Sequence, residues 1–175
     1  MSRDLNKLIV NRRSVNVRRG PAYFKIIFQP REIVSTIHGA LRNPTTTSVV
    51  GCIAWLSHPL ILREIARKPS ALVVTNDKSN LRKPVRELYK KLKPLDNESS
   101  AIRLLGDRKG RFRCKMHHKF LVGIHHDEPQ WVIFGSFNFS QMACKNLENI
   151  MLIQDPEIAR VYMDEWKRIW ECVKG

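Results

Sequence analysis

His117 and Lys119 stand two residues apart, and Gly135, Ser136, Asn138 and Glu148 follow downstream. On an extended chain, side chains two apart leave the same face, so the imidazole and the ammonium point together. A histidine serves as nucleophile or as acid and base near neutral pH. A lysine beside it supplies fixed positive charge for a phosphoryl oxygen. Asn138 can donate its amide to the same group, and Gly135 and Ser136 add backbone and hydroxyl donors suited to an anion. A carboxylate such as Glu148 can hold the second ring nitrogen of His117 and set its tautomer. Each residue alone is an ordinary surface or turn residue, and a bare HxK is generic. Their joint occurrence around one hairpin is what points to phosphate chemistry.

That hairpin is legible in the stretch 114–149. Residues 120–124 and 131–134 are short runs rich in Val, Ile, Phe and Trp, the composition of strands. Between them, residues 125–130 form a polar turn carrying Pro129. Antiparallel pairing lays the start of one strand beside the end of the other. The His/Lys pair and the Ser/Asn pair can therefore meet, although 17 positions separate Lys119 from Ser136.

The same residues carry a family resemblance. HHK, then GSFNFS, then NLEN resembles the HxK…GSxN…E signature of the phospholipase D superfamily. The resemblance implies His117 as a nucleophile forming a phosphohistidine, Lys119, Ser136 and Asn138 as phosphate-binding groups, and Glu148 as the residue orienting His117. His118 is the free middle position. The motif block covers about a fifth of the chain. One departure stands out: the family pattern places an aspartate five residues after the lysine, where this chain has Ile124. The nearest acid, Asp127, falls in a turn that HHDE is expected to lengthen. Family members of the nuclease type often lack that aspartate, so the departure favours a nuclease branch over a lipase branch.

The rest of the chain reads as alternating strands and helices. Strands are expected at 22–28, 48–56, 71–75, 101–105 and 149–153. Helices are expected at 31–41, from 58 to about 67, near 81–92, and from Pro156 onward. Residues 93–100 are expected to be a loop. Ile158, Val161, Trp166, Ile169, Trp170 and Val173 form a stripe at helical spacing, expected to face the core, with Trp166 or Trp170 alternatively at a dimer face. This order predicts an αβα sandwich, of class α/β, around a central mixed sheet, and the resemblance implies its phospholipase D-like form. Residues 22–175 would form one catalytic domain, preceded by a basic arm over residues 1–21.

Composition narrows the partner. The chain carries 31 Lys and Arg against 16 Asp and Glu, a net charge of +15. Such an excess attracts polyanions through counterion release, nucleic acid first and an anionic membrane surface second. Arg108, Lys109, Arg111, Arg113 and Lys115 cluster just before His117 with Phe112 among them, a candidate phosphate-tracking segment with one stacking ring. Cys52, Cys114, Cys144 and Cys172 are widely spaced, so buried free thiols in a reducing cytoplasm are expected rather than a zinc site. His125, His126 and Asp127 are read as turn residues rather than metal ligands. No cofactor is expected, and no apolar run is long enough for a signal peptide or membrane span.

Chemistry of the resembled family needs two histidines, one attacking phosphorus and one protonating the leaving oxygen. This chain has one motif, so the resemblance implies a homodimer with paired His117 residues, acting without a metal. The leading reading is an endonuclease, with DNA ahead of RNA. Alternatives are a lipid phosphodiesterase and a non-catalytic nucleic-acid-binding protein.

Overall fold

The computed structural model describes residues 15–20, 22–75, 81–96, 98–105 and 116–173. Its elements run β1 (Val15–Arg19), β2 (Ala22–Ile27), α1 (Pro30–Arg42), β3 (Ser48–Ile53), α2 (Pro59–Ile65), β4 (Pro69–Val74), α3 (Lys83–Tyr89), β5 (Lys93–Pro94), β6 (Ile102–Leu104), β7 (Lys119–His125), β8 (Glu128–Gly135), β9 (Ile150–Gln154) and α4 (Pro156–Cys172). Among the described residues nine strands join in one sheet, ordered β1-β2-β9-β8-β7-β3-β4-β5, with β6 also on β4. The pairs β3/β4, β4/β5 and β4/β6 are parallel and the others antiparallel, so the sheet is mixed.

Period-two alternation splits the strands between two apolar layers. Val49, Ile53, Leu72, Leu121 and Ile133 pack with α1, α2 and α3 through Ile33, Ile37, Leu41, Ile61, Leu62, Ile65 and Val85. Val50, Cys52, Val73, Phe120, Val122 and Val132 face the other way, onto Ala159, Trp166, Ile169 and Trp170 of α4. The architecture is the expected αβα sandwich. Local signals explain the helices. Pro30 occupies the first turn of α1, and Ile33, Ile37 and Leu41 fall four apart and are fully buried. Each contributes roughly 1.5–3 kcal/mol of burial. Asp155 caps α4, its Oδ1 accepting the backbone N–H of Ile158 at 3.0 Å.

Four expectations change. Residues 15–19 of the supposed arm form an edge strand, turned onto β2 through Gly20 at φ +57°; residues 1–14 lie outside the described ones. The hairpin turn is two residues, not six. His126 and Asp127 both adopt positive φ, 46° and 68°, as a tight turn that follows strand twist requires. Pro129 lies in β8 opposite Ile124, beside a register shift that accommodates a residue without an N–H. On α4, Val161 is 67 % exposed, whereas Trp166 and Trp170 are buried in the core. Cys52 is a buried free thiol as expected, but Cys172 is exposed and Cys144 half-buried; burial pushes the Cys52 thiol up to about 12.

Candidate active site

The chain enters the site through a clamped segment. Thr75 Oγ1 donates to the Met116 carbonyl at 2.6 Å, and Ala54 N–H donates to the His118 carbonyl at 2.8 Å. These two bonds fix residues 116–118 beside the ends of β4 and β3 before β7 begins. His117 then stands exposed just before the start of β7, while Lys119 sits within the sheet opposite Ile53, only 8 % exposed. Lys119 Nζ lies 3.0 Å from His117 Nδ1 and 3.3 Å from Nε2, and donates to the His117 carbonyl at 2.9 Å. Burial lowers the Lys119 ammonium below its ordinary value, and the Glu148 carboxylate partly offsets this. Both ring nitrogens of His117 thus face the Lys119 ammonium, and their donor and acceptor roles follow from the tautomer.

Ser136 follows β8 and Asn149 precedes β9, and the two residues lock those strand ends together. Ser136 N–H donates to both the carbonyl and the Oδ1 of Asn149, each at 3.1 Å. Asn149 N–H returns a bond to Ser136 Oγ at 3.1 Å. Gly135 permits this approach, because a Cβ there would lie 2.2 Å from the Asn149 carbonyl oxygen and 2.8 Å from Ile150 Cα. Beyond Ser136, Phe137 and Phe139 are fully buried, which turns the half-buried Asn138 between them the other way. Phe139 forms a parallel bridge with Leu56, anchoring the loop to the segment after β3. Asn138 Oδ1 is buried without a hydrogen-bond partner among the described residues. Amide oxygen and nitrogen exchange by a half-turn, so this position can present either an acceptor or a donor.

Glu148 is placed differently from the sequence reading. Its Oε2 accepts from Ser136 Oγ at 2.5 Å, and its Oε1 accepts from Asn146 Nδ2 at 3.3 Å. Among the described residues no hydrogen bond joins it to His117; it reaches the histidine only through Lys119, whose positive charge it supports. The structure therefore holds two contact pairs, Lys119 with His117 and Ser136 with Glu148, related through the charge of Glu148 acting on Lys119, with Asn138 two residues beyond Ser136. Arg108, Lys109, Arg111, Arg113 and Lys115 lie outside the described residues. Asn149 and Asn146 carry site contacts that the sequence reading did not assign. The NLEN stretch contained both, but an asparagine gives no local signal of which strand end it will meet.

Ile124, at the position of the family's aspartate, is 3 % exposed and packs in the α4-side core. Its carbonyl accepts from the Thr47 N–H at 2.8 Å and the Thr47 hydroxyl at 3.1 Å. A carboxylate in that place would be buried among apolar side chains, so an isoleucine fits where an acid would need a partner. Among the described residues no three His, Cys, Asp or Glu side chains gather as a metal-binding group.

The family described as "Cardiolipin synthase, PLD-like domain" matches residues 26–170, most of the chain and the whole of this site. The chain belongs to the phospholipase D-like family. It is 37 % identical over 57 residues to proteins named mitochondrial cardiolipin hydrolase from Mus musculus and Homo sapiens. Those matches cover 32 % of this chain but only 24 % and 21 % of the relatives, so the chain spans about a quarter of their length or less. By fold it is similar to NucT from Helicobacter pylori, with TM-score 0.67 and 17 % identity over 86 % of this chain and 96 % of that one. The phospholipase D family member Nuc from Salmonella typhimurium superposes with TM-score 0.63 and 19 % identity, covering 86 % and 95 % of the two chains. Among the described residues no helix is long and apolar enough to cross a membrane.

Proposed function

We propose that this phospholipase D-like protein, a phosphodiester hydrolase, cleaves nucleic-acid phosphodiester bonds, with DNA ahead of RNA, through a phosphohistidine on His117. The observation that carries the reading is the Lys119 ammonium held against the His117 ring at 3.0 Å and acted on by the charge of Glu148. In the first step a His117 nitrogen attacks phosphorus, the P–O bond to the leaving group breaks, and a general acid protonates the departing oxygen. Water then attacks the phosphohistidine, the same group now accepting the proton, and His117 is released. Lys119 and an Asn138 amide turned outward meet the phosphoryl oxygens, while Ser136 and Glu148 brace the loop that carries Asn138.

One chain offers one such histidine at the site. The general acid is therefore assigned to His117 of the partner subunit in a two-fold dimer that joins two sites. No step in this scheme draws on a metal, because Lys119 and Asn138 supply the electrophilic contacts. The net charge of +15 supports a polyanionic substrate, and the names Nuc and NucT agree with that choice. The buried free thiol of Cys52 suits a reducing cytoplasm.

The test is cleavage of single- and double-stranded DNA and RNA in EDTA, with sedimentation at the same protein concentrations. Activity that survives chelation, follows the dimer population and disappears in His117→Ala is the expected result. Activity that chelation abolishes and magnesium restores would overturn the scheme. A lipid reading has one observation in its favour, the name of the cardiolipin hydrolases with which the chain shares 37 % identity. Release of phosphatidic acid from cardiolipin vesicles, with no nucleic acid cleaved, would select it.

A further inference from the structure

Beside the site runs a groove of about 650 Å³, within the size range of ligand pockets. Its lining includes Trp55, His58, Arg82, Met142 and Lys145. The phosphate chemistry proposed above uses none of these residues. Their position is set by the backbone of the site: Ala54 is bonded to His118, Leu56 bridges Phe139, and Ser57 and His58 N–H groups both donate to the Phe139 carbonyl at 2.8 Å. The groove residues Trp55, Ser57 and His58 therefore lie on backbone bonded to His118 and Phe139, the chain neighbours of His117 and Asn138.

Three features of this groove call for a ligand that is flat, partly apolar and tied to negative charge. Trp55 is 46 % exposed, whereas Trp131, Trp166 and Trp170 are buried. Met142 is 68 % exposed across the same groove. His58 also lines it, its Nδ1 buried with no hydrogen-bond partner among the described residues, and burial lowers its proton affinity. Arg82 and Lys145 place cations on the groove walls. A lipid tail would match the apolar surface but leave the imidazole and both cations without a role. A paired base would keep its faces within its own duplex.

We propose that this groove is a subsite for an unpaired nucleobase adjoining the scissile phosphate, with Trp55 as its stacking platform, His58 at its edge, and Arg82 and Lys145 toward the flanking phosphates. The proposal rests on the nuclease reading and sharpens it, because it makes single-stranded or locally unpaired nucleic acid the preferred substrate. Stacking is tolerant of base identity, since every base has a π-face. The subsite therefore selects strandedness rather than sequence.

Trp55 is its own reporter, being the exposed tryptophan among four. The experiment follows its emission in the full chain carrying His117→Ala, which keeps oligonucleotides intact. The probes are a short unstructured oligonucleotide, an abasic strand of the same length and charge, a blunt duplex, and cardiolipin-containing vesicles. The base-bearing strand should quench the emission, and the abasic strand and duplex should leave it nearly unchanged. Adding Trp55→Ala should weaken binding of the base-bearing strand about tenfold and leave abasic binding in place, with Trp55→Phe intermediate. Equal binding of base-bearing and abasic strands would overturn the subsite. So would an equal loss for both in Trp55→Ala, or a blue shift on vesicles with no response to oligonucleotides. Wild-type cleavage in EDTA, measured in parallel, separates the two ideas: cleavage without base dependence removes the subsite and leaves the nuclease. Quenching without cleavage of any polymer supports the subsite and removes the nuclease.

Discussion

His117 and His118 are neighbours in sequence and opposites in the structure. His117 stands on the α1–α3 side with the Lys119 ammonium against its ring. His118 points to the α4 side, where its Nε2 lies 3.3 Å from Glu165 Oε1 and its ring meets Phe120 edge-on at 5.7 Å. Glu165 is itself engaged by Arg168, whose guanidinium holds its carboxyl below the usual range. One face sets an imidazole against an ammonium; the other sets an imidazole against a carboxylate that Arg168 also engages. Alternation along a strand is the whole cause. A histidine is therefore assigned a role here by its parity, and the HHK string alone does not distinguish the two.

The largest contrast is expected from removing each ring in turn. His117→Ala should lower cleavage by at least about a thousandfold, as loss of a covalent nucleophile does, with secondary structure unchanged by circular dichroism. Retained cleavage would move the nucleophile elsewhere. Next comes the packing difference between the faces. Ile124→Asp puts an unpartnered carboxyl into the α4-side core and should cost about 3 kcal/mol or more, read as a lower denaturant midpoint. An unchanged midpoint would show that the position can accommodate the family's acid after all.

Lys119→Met should reduce cleavage about a hundredfold, through loss of the cation facing the phosphoryl group. Its pH behaviour sharpens the point. Burial lowers the folded-state value of Lys119 below 10.5, so keeping it charged costs stability at neutral pH. Between the lowered folded value and 10.5 the unfolded chain binds more protons, and stability rises with pH across that window. Lys119→Met should flatten this rise in alkaline denaturant titrations, and wild-type cleavage should decline with increasing pH before an ordinary lysine would titrate. The smallest effect belongs to the other face. His118→Gln removes a half-exposed contact with Glu165 of the kind worth under about 1 kcal/mol, and cleavage should stay within about twofold. A loss as deep as that of His117→Ala would collapse the comparison.

Several parts of this arrangement were legible because they depend on neighbours in the chain. Ile33, Ile37 and Leu41 mark a helix face by spacing, Pro156 marks a helix start, and the two apolar runs around residue 127 mark a hairpin. The nearness of Lys119 to the end of β8 was legible because antiparallel pairing brings strand ends together whatever the rest of the fold does. The two-residue turn was not legible, because His126 and Asp127 lack the glycine that usually announces positive φ. Nor was β1, whose pairing with β2 is set by register across Gly20 rather than by an apolar pattern of its own.

By itself, then, the sequence determined the αβα order of elements, the hairpin and the placing of the start of β7 beside the end of β8, since each follows from periodicity or from strand polarity. Only the tertiary structure decided that Glu148 bonds to Ser136 and Asn146 instead of the His117 ring, that Asn149 locks β8 to β9, and that Trp55 and His58 line one groove with Met142 and Lys145. Those choices depend on which strand end or loop lies within about 3 Å of a polar atom, a distance fixed by the folding of remote segments onto one sheet and carried by no local pattern.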